Sequence, residues 1–255
     1  MFRINFNFVV YRYEAILAIA ALILAGSFVV SARDSEYAFA SQGYYPYTIA
    51  LTFDDGPHKI YTDKILDILA GERVPATFFL VGSRIVENPS LVRKISDLGF
   101  EIDAHTYSHR NMSKLSDGEI ADELLLTRNL IKSFSGQESA YFRPPGGQYN
   151  ERVLSIAGNL KFSMVLWTVF TKDHEEENPG IIVKKVLAQA NNGGVVLLHS
   201  GRLPTIEALP EIIRELRSRG YRFVTISELE HSDDSANTPW LKNALTLAAK
   251  KGING

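Results

Sequence analysis

The sequence predicts an α/β protein in which repeated βα units form a barrel, and three observations support this class. From about Tyr45 onward, short β-rich runs alternate with helical stretches, the pattern of βα units around a parallel sheet. The β-rich runs are mostly aliphatic or aromatic, as expected for strands buried on both faces. There are seven such runs, and this number favours a barrel.

The strands are predicted over residues 48–53, 77–81, 101–104, 140–142, 163–169, 195–198 and 222–225. Helix signals lie between them. The Ser-Asp-Gly-Glu sequence at 116–119 predicts a capping box that begins a helix extending through Leu130. Prolines in a first helical turn and glycines after a last turn mark further helix boundaries, at Pro89, Gly99, Pro210 and Gly220.

The composition is that of a protein with one main domain and a net charge near zero. The chain has 255 residues, 45% of them hydrophobic, which is enough to bury a full core. Its 27 basic residues nearly balance 29 acidic ones, for a formal net charge of -2, so no broad positive surface indicates a nucleic-acid partner. Cysteine is absent, which excludes disulfides, thiolate metal ligands and a cysteine nucleophile.

The N-terminus predicts an export signal or a membrane anchor. Arg3 and Arg12 precede an uncharged run over residues 15–30, and residues 38–40 offer a small-residue cleavage site. The run is shorter than the ~20 residues that span a bilayer, although a retained anchor starting nearer Phe8 is also feasible. A buried core helix is the alternative. We therefore expect an exported protein, either anchored at the outer membrane face or secreted or periplasmic, whose N-terminal segment contacts the membrane.

Three segments follow from these signals. Residues 1–40 are expected to be a signal peptide or membrane anchor, residues 41–230 the barrel domain, and residues 231–255 a linker followed by a short C-terminal helix. The linker prediction rests on polar composition, and residues 240–251 have the pattern of a short amphipathic helix.

Ionisable residues recur directly after the predicted strands, where the βα loops of a parallel barrel open on one face. They follow five different strands, at Asp54, Asp55, His105, Arg143, Asp173 and His199. Polar residues that only confer solubility would favour helix faces and loop tips instead. We therefore expect these side chains to form a single site.

Two adjacent aspartates and a pair of histidines indicate a hydrolytic metal centre. Asp54 and Asp55 alone would be a turn, and the spacing of His105 and His109 also occurs by chance. Together, imidazole and carboxylate suit Zn²⁺ and related divalent ions, and three protein ligands leave a position open for water. Neighbouring carboxylates resist simultaneous ionisation unless a cation is near, so one is expected to bind metal and the other to act as a base.

Three further residues complete the candidate machinery. The sequence after Arg143, residues 144–147, is a rigid proline-glycine connection, for which a purely structural role is the alternative. From such a stiff loop the guanidinium could orient the carboxylate of Asp54 through a forked hydrogen bond. His199 is well placed to donate a proton to a leaving group, with Asp173 as its partner, or it is a plain barrel-rim histidine.

The motifs resemble those of the polysaccharide deacetylase family, the NodB-homology or carbohydrate esterase 4 group, over about residues 45–230. Its TFDDGP motif is present at 52–57 and its H-[ST]-x-x-H motif at 105–109. The arginine-proline motif is present at 143–147 and the leucine-histidine motif at 197–199. The resemblance implies a distorted (β/α)7-type barrel and metal-dependent removal of N-acetyl, or sometimes O-acetyl, groups from sugar polymers such as peptidoglycan or chitin.

The resemblance also implies a role for each site residue. The metal ligands would be Asp55, His105 and His109, holding one divalent ion, with Zn²⁺ the first choice and Co²⁺, Mn²⁺ or Ni²⁺ as alternatives. The catalytic residues would be Asp54 as general base, Arg143 as its orienting partner, His199 as general acid and Asp173 as the partner of His199. The substrate contacts would be Leu197, Pro145, Gly146, Trp167 and His174, and Leu197 would line the pocket for the acetyl methyl group.

The chain departs from the family pattern at two motifs. The fourth family motif, D-x-x-D-W, here reads Phe170-Thr171-Lys172-Asp173-His174, which replaces its first acid and its tryptophan. Gly146 stands where an aromatic residue is common. His174 either fills part of the tryptophan's space, adds a polar contact or becomes a second metal-facing group. Two bulky pocket walls are therefore missing or are supplied by other residues.

The expected partner is an acetylated polysaccharide or oligosaccharide, and the expected activity is that of a hydrolase acting on the C–N bonds of linear amides. Two alternatives stay open. One is a glycan-binding module that kept the fold and lost activity, as the changes at residues 146, 170 and 174 suggest. The other is a metal-dependent amidase on a small non-carbohydrate substrate, because fold and metal chemistry do not fix the acyl donor.

Overall fold

The computed structural model describes residues 47–231. The predicted export or anchor segment and the predicted C-terminal helix lie outside these residues, as does nearly all of the predicted linker. None of the helices between residues 61 and 230 combines the length and the hydropathy that a membrane span needs.

The described strands form one parallel sheet. Their bounds are Tyr47–Gly56 (β1), Thr77–Leu80 (β2), Glu101–Ala104 (β3), Tyr141–Phe142 (β4), Ser163–Met164 (β5), Val169–Phe170 (β6), Gly194–His199 (β7) and Tyr221–Phe223 (β8). The order is β5-β4-β3-β2-β1-β7-β6, and β8 pairs with the start of β1. No ladder among the described residues joins β5 to β6, so the sheet curls without closing there. The predicted α/β barrel class is confirmed, with its opening between these two short strands.

The strand predictions fit best at the centre of the sheet. The prediction over residues 101–104 matches β3, and those over residues 48–53 and 195–198 lie within β1 and β7. The prediction over residues 163–169 is wrong as one strand, because the chain leaves the sheet between β5 and β6. The last strand ends at Phe223 rather than Thr225, since the Thr225 side chain instead accepts from the Glu228 amide and caps a helix.

The helices pack outside the sheet. Their bounds are Tyr61–Gly71 (α1), Gly82–Glu87 (α2), Pro89–Asp97 (α3), Asp117–Ser135 (α4), Glu151–Asn159 (α5), Pro179–Gln189 (α6), Leu203–Ser218 (α7) and Ile226–Glu230 (α8). The predicted capping box of α4 is present, with reciprocal hydrogen bonds between Ser116 and Glu119. The placement of Pro210 in a first helical turn is wrong, because Pro210 lies inside α7 and Pro204 occupies that turn.

The two faces of the sheet bury two apolar clusters. Along β1, Ile49, Leu51 and Phe53 face the outer cluster, which the helices cover. Ala50 points the other way, into a smaller inner cluster that includes Phe79. This alternation follows from the two-residue period of a strand, and because both faces are covered the strands are apolar nearly throughout.

Candidate active site

The carboxyl ends of the central strands bring the predicted residues to one rim. In the parallel pairing of β1 with β7, Asp54 lies opposite His199. The ladder of β3 continues past its end, since His105 N donates to Leu80 O at 2.8 Å and Arg143 N donates to Ala104 O at 3.0 Å. Neighbouring strands are about 4.8 Å apart, so residues from distant parts of the sequence become neighbours here.

Asp55, His105 and His109 form a compact triad. Asp55 Oδ1 lies 3.4 Å from His105 Nε2 and 3.0 Å from His109 Nε2. One ligand atom from each residue lies within 4.8 Å of the other two. Asp55 Oδ1 is buried, yet it has no hydrogen-bond partner of good geometry. A buried carboxylate oxygen without a donor, facing two imidazole nitrogens, fits a divalent cation, because carboxylate and imidazole are ligands that such ions accept.

The tautomer of His105 is fixed for metal binding. Its Nδ1 lies 2.8 Å from the carbonyl oxygen of Arg143. A carbonyl oxygen only accepts hydrogen bonds, so Nδ1 must carry the proton. The lone pair of Nε2 is then directed at Asp55. Hydrogen bonds of this kind orient the histidine ligands of metal sites and raise their basicity.

The backbone around the triad is strained. Asp55, Thr106 and His109 have φ values of 69°, 63° and 58°, in the left-handed region that non-glycine residues rarely adopt. Such conformations persist where the surroundings impose them, and they cluster at functional sites. Two charged side chains from neighbouring helices impose them here.

Glu123 of α4 holds the histidine loop. The side chain of this glutamate is almost fully buried, and its Oε2 accepts from the backbone N–H groups of Tyr107 and Ser108, at 2.7 Å each. Its Oε1 accepts from the hydroxyl of Ser108 and from Arg110 Nη2 at 3.1 Å. Burial raises the pKa of Glu123, but these hydrogen bonds more than offset that effect and hold the pKa below its usual value. The carboxylate is thus fixed as an ion that braces the segment between the two histidines.

Arg84 of α2 holds the loop that carries Asp55. Its Nη1 donates to the carbonyl oxygen of Asp55 and lies 2.6 Å from His58 Nε2. The His58 ring fits because Gly201 has no side chain, since a Cβ there would lie 2.5 Å from Nε2. His58 therefore belongs to the residues that support the triad.

Arg143 fixes Asp54 by one nitrogen. Both side chains are nearly fully buried, and Arg143 Nη1 donates to Asp54 Oδ1 at 2.6 Å and to Thr52 Oγ1 at 2.8 Å. The expectation of a forked hydrogen bond to Asp54 is wrong, because the other guanidinium nitrogens donate to the carbonyl oxygens of Val165 and Leu166. Burial lowers the pKa of Arg143, while Asp54 opposes the shift, and a guanidinium stays charged in proteins.

The second carboxylate oxygen of Asp54, Oδ2, faces the triad. Asp54 Oδ2 lies 3.8 Å from His105 Nε2, which is beyond hydrogen-bond distance. One oxygen is therefore held by Arg143 while the other is directed at the place where a cation and its water would sit. That division suits a base more than a metal ligand.

Asp173 and His199 form the second buried pair. Asp173 Oδ1 lies 2.7 Å from His199 Nδ1, and Asp173 Oδ2 accepts from the His199 backbone N–H and the Thr205 hydroxyl, both at 2.7 Å. Burial lowers the pKa of His199, but Asp173, with smaller contributions from Asp54 and Asp55, raises it above its ordinary value overall. Because Nδ1 faces a carboxylate, Nε2 is the nitrogen available for proton transfer.

The residues expected to contact substrate lie around this rim. Pro145 and Leu197 are buried, and Gly146 has a φ of 59°, a conformation that favours glycine over the aromatic residue common in the family. Trp167 packs on the same loop, because a Cβ at Gly147 would lie 2.9 Å from its ring. Trp167 thus provides bulk beside the position where Gly146 lacks it.

His174 belongs to a second group that could hold a metal ion, with Asp173 and His199. The oxygens of Asp173 already accept from His199, Thr205 and Thr171. The triad at Asp55, whose oxygen has no such partner, therefore fits a cation better.

Sequence reasoning missed two supporting residues. Glu123 carries a usable signal, because it is a charged residue beside Ile120, Leu124 and Thr127 on the buried face of α4. Arg84 carries none, since an arginine in a short surface helix is ordinary and its contact with Asp55 depends on tertiary structure.

Comparison with known proteins agrees with this geometry. The polysaccharide deacetylase family model matches residues 44–165. A Bacillus cereus relative, peptidoglycan-N-acetylglucosamine deacetylase, is 40% identical over 186 residues, covering 71% of this chain and 87% of the relative. The chain therefore belongs to the polysaccharide deacetylase family.

The solved structures similar to this chain include the following two. That of the Bacillus subtilis peptidoglycan deacetylase PdaC has 34% identity and a TM-score of 0.70, covering 77% of this chain and 96% of the solved one. The full PdaC sequence, named as an N-acetylmuramic acid deacetylase, is 36% identical, and the match covers 71% of this chain and 38% of PdaC. The second, BA3943 from Bacillus anthracis, is described as a carbohydrate esterase 4 pseudoenzyme, with 34% identity and a TM-score of 0.69, covering 72% of this chain and 65% of that one.

Proposed function

We propose that this chain is a metal-dependent deacetylase that removes N-acetyl groups from a cell-wall polysaccharide, with peptidoglycan as the leading substrate. Residues 41–230 would be the catalytic domain, exported by the N-terminal segment and either anchored at the outer membrane face or secreted. The observation that carries the proposal is the opposition of Asp54 and His199 across β1 and β7, beside the triad of Asp55, His105 and His109. A base and an acid then flank the space next to a cation site.

The triad would hold one divalent ion, and Zn²⁺ suits two imidazoles and one carboxylate best. When bound, such an ion polarises an acyl carbonyl group and lowers the pKa of a bound water. His105 is oriented for this by its hydrogen bond to the Arg143 carbonyl oxygen. Three protein ligands leave room for substrate and water.

Asp54 would remove the proton from the attacking water. Arg143 Nη1 donates to one oxygen of this carboxylate, so the other oxygen is left to accept that proton. The C–N bond of the amide breaks after attack at the carbonyl carbon, giving acetate and a free amine. A buried, pre-oriented carboxylate avoids the entropy of finding this geometry.

His199 would protonate the departing nitrogen. An amide nitrogen is a very poor leaving group without that proton, and general acid assistance is typically worth about 10²–10⁴ in rate. Asp173 raises the pKa of His199, which favours the protonated imidazole that this step needs, and its contact with Nδ1 keeps a proton on that nitrogen after the transfer. The proton leaves from Nε2, because Nδ1 is held by the carboxylate.

A glycan-binding module without activity is the second candidate, favoured by the similarity to a pseudoenzyme and by the unusual residues at 146, 170 and 174. Acetate release separates the two. Metal-loaded protein should be incubated with acetylated chitooligosaccharides and with peptidoglycan, and products measured by mass spectrometry. We expect the loss of one acetyl group per event. Oligosaccharide binding without any acetate would instead support the binding module, and activity confined to cyclic amides would support a small-molecule amidase.

A further inference from the structure

A row of aromatic rings connects the proposed general acid to Trp167. The ring centroids of His199 and His174 are 5.0 Å apart, those of His174 and Phe170 are 6.2 Å apart, and those of Phe170 and Trp167 are 5.6 Å apart. The rings of Phe170 and His174 are nearly parallel, with 28° between their planes. We call these four residues the aromatic row. Each step along it is comparable with the width of one pyranose ring.

The two middle members of the row are open to solvent. Phe170 is 37% exposed, and the His174 side chain is 40% exposed. A single exposed aromatic residue is common and means little by itself. Here the exposed rings continue directly into the active site, which is where exposed apolar surface marks a ligand groove.

The backbone beneath Phe170 is held firmly. Its N–H donates to Gln189 Oε1 at 3.1 Å, and its carbonyl oxygen accepts from Gln189 Nε2 at 3.0 Å. On the other side Phe170 pairs with Leu197 in the ladder of β6 and β7. The ring therefore stands on an edge strand that is fixed on both sides, so little conformational entropy is lost when a ligand covers it.

The chemistry of the row suits a sugar ring. One face of a pyranose carries C–H groups, which pack on the electron-rich face of an aromatic ring, while its hydroxyls stay at the edge and remain hydrated. The Phe170 side chain carries no charge, so it favours neither an anion nor a cation. Both Phe170 and His174 are departures from the family motif.

We propose that Phe170 and His174 bind the sugar next to the acetylated one, so that the site takes an extended polysaccharide rather than a single sugar. This inference rests on the proposed function, because that function puts the acetylated sugar beside His199. The neighbouring sugar then lies against His174 and Phe170. Affinity should increase with chain length, and that increase should depend on the two rings.

The test compares binding of short and long ligands by titration calorimetry. All proteins carry Asp54→Asn, so that acetyl groups persist during the measurement, and all are loaded with Zn²⁺. N-acetylglucosamine and its acetylated tetrasaccharide are the ligands. Phe170→Ala should weaken tetrasaccharide binding about tenfold while changing monosaccharide binding less than twofold, and Phe170→Trp should restore it.

The matched control is Leu98→Ala. Leu98 is a large apolar residue that is 43% exposed, directly after α3 and therefore at the opposite end of the strands. It should leave both affinities unchanged. Equal weakening of both ligands by Phe170→Ala, or no weakening of either, would overturn the proposal.

Failure of the proposed function gives a different result. Acetate release by the wild-type protein is measured separately on the same tetrasaccharide. If no acetate appears but the length-dependent loss at Phe170→Ala is found, the deacetylase assignment is wrong and the sugar-binding row stands. If acetate appears and the two ligands respond equally to Phe170→Ala, the row is wrong and the deacetylase assignment stands.

Discussion

The two halves of the rim are built differently. On the metal side, the ends of β1 and β3 supply Asp55, His105 and His109 on strained loops that Glu123 and Arg84 brace through backbone groups. The other half, called the acid side, carries the proposed base Asp54 and the proposed acid His199. These two are held by side-chain partners, Arg143 and Asp173, from other strands and loops.

The difference indicates where this chain is free to vary. The metal side depends on backbone shape, so substitution there disturbs several ligands at once. On the acid side, Phe170 of the edge strand β6 and His174 after it depart from the family pattern, while Asp173 and His199 keep their contact. The catalytic chemistry thus depends on the pairs of Arg143 with Asp54 and of Asp173 with His199, while the residues around these pairs determine the choice of substrate.

The largest expected effect is on the metal side. His105→Ala should lose the metal ion and reduce acetate release to background, because one of three ligands and the hydrogen bond to the Arg143 carbonyl oxygen are both removed. Metal content of the purified variant, measured by inductively coupled plasma mass spectrometry, checks this directly. Retention of a full equivalent of metal would contradict the ligand assignment.

Asp54→Asn should abolish turnover while metal stays bound. The amide is nearly isosteric but cannot accept the water proton, so kcat should fall by about 10³ or more. His199→Ala is expected to behave in the same way. Metal content and acetate release must be measured on the same preparation, and normal turnover by Asp54→Asn would remove its assignment as base.

Asp173→Asn should reveal the pKa of His199. Asp173 raises that pKa, and the acid must be protonated to work, so activity is expected to fall as pH rises through it. Without the carboxylate the pKa drops, and the alkaline limb of the kcat profile should move to lower pH, with kcat about 10² lower near neutrality. Asp173→Glu keeps the charge and serves as the control. An unchanged limb in Asp173→Asn would show that His199 is not the acid.

Glu123→Gln is expected to have a smaller effect. The glutamine oxygen can still accept from the Tyr107 and Ser108 N–H groups, but the amide nitrogen would then face Arg110, which is itself a donor. The negative charge is also lost, so the loop should loosen and metal affinity should weaken by about tenfold. Chelator competition measures the affinity. Glu119→Gln is the matched control, since Glu119 binds Arg110 and caps α4, and no contact from it to the histidine loop is found among the described residues. If Glu123→Gln and Glu119→Gln weaken metal affinity equally, Glu123 acts only by stabilising helix α4 and not by holding the histidine loop.

The sequence predicted the site better than its supports. Asp55, His105 and His109 were predictable because short motifs end buried strands. Arg143 was expected beside Asp54 because both follow strands at the same rim, and Asp173 and His199 follow the neighbouring strands β6 and β7. The break between β5 and β6 was not predictable from the sequence, since residues 165–168 are as apolar as a buried strand. Pro210 misled because a proline is also tolerated inside α7. The contacts by which Arg84 and Glu123 hold the metal-ligand loops could not be predicted, because they are tertiary contacts that leave no periodic pattern in the sequence.

Anomalous X-ray diffraction at the zinc absorption edge, from crystals grown with Zn²⁺, tests the central claim most directly. We predict one strong peak within bonding distance, about 2.0–2.2 Å, of Asp55, His105 and His109, with Asp54 close by but not coordinating. A peak among Asp173, His174 and His199 instead, or Asp54 as a ligand in place of Asp55, would contradict the account.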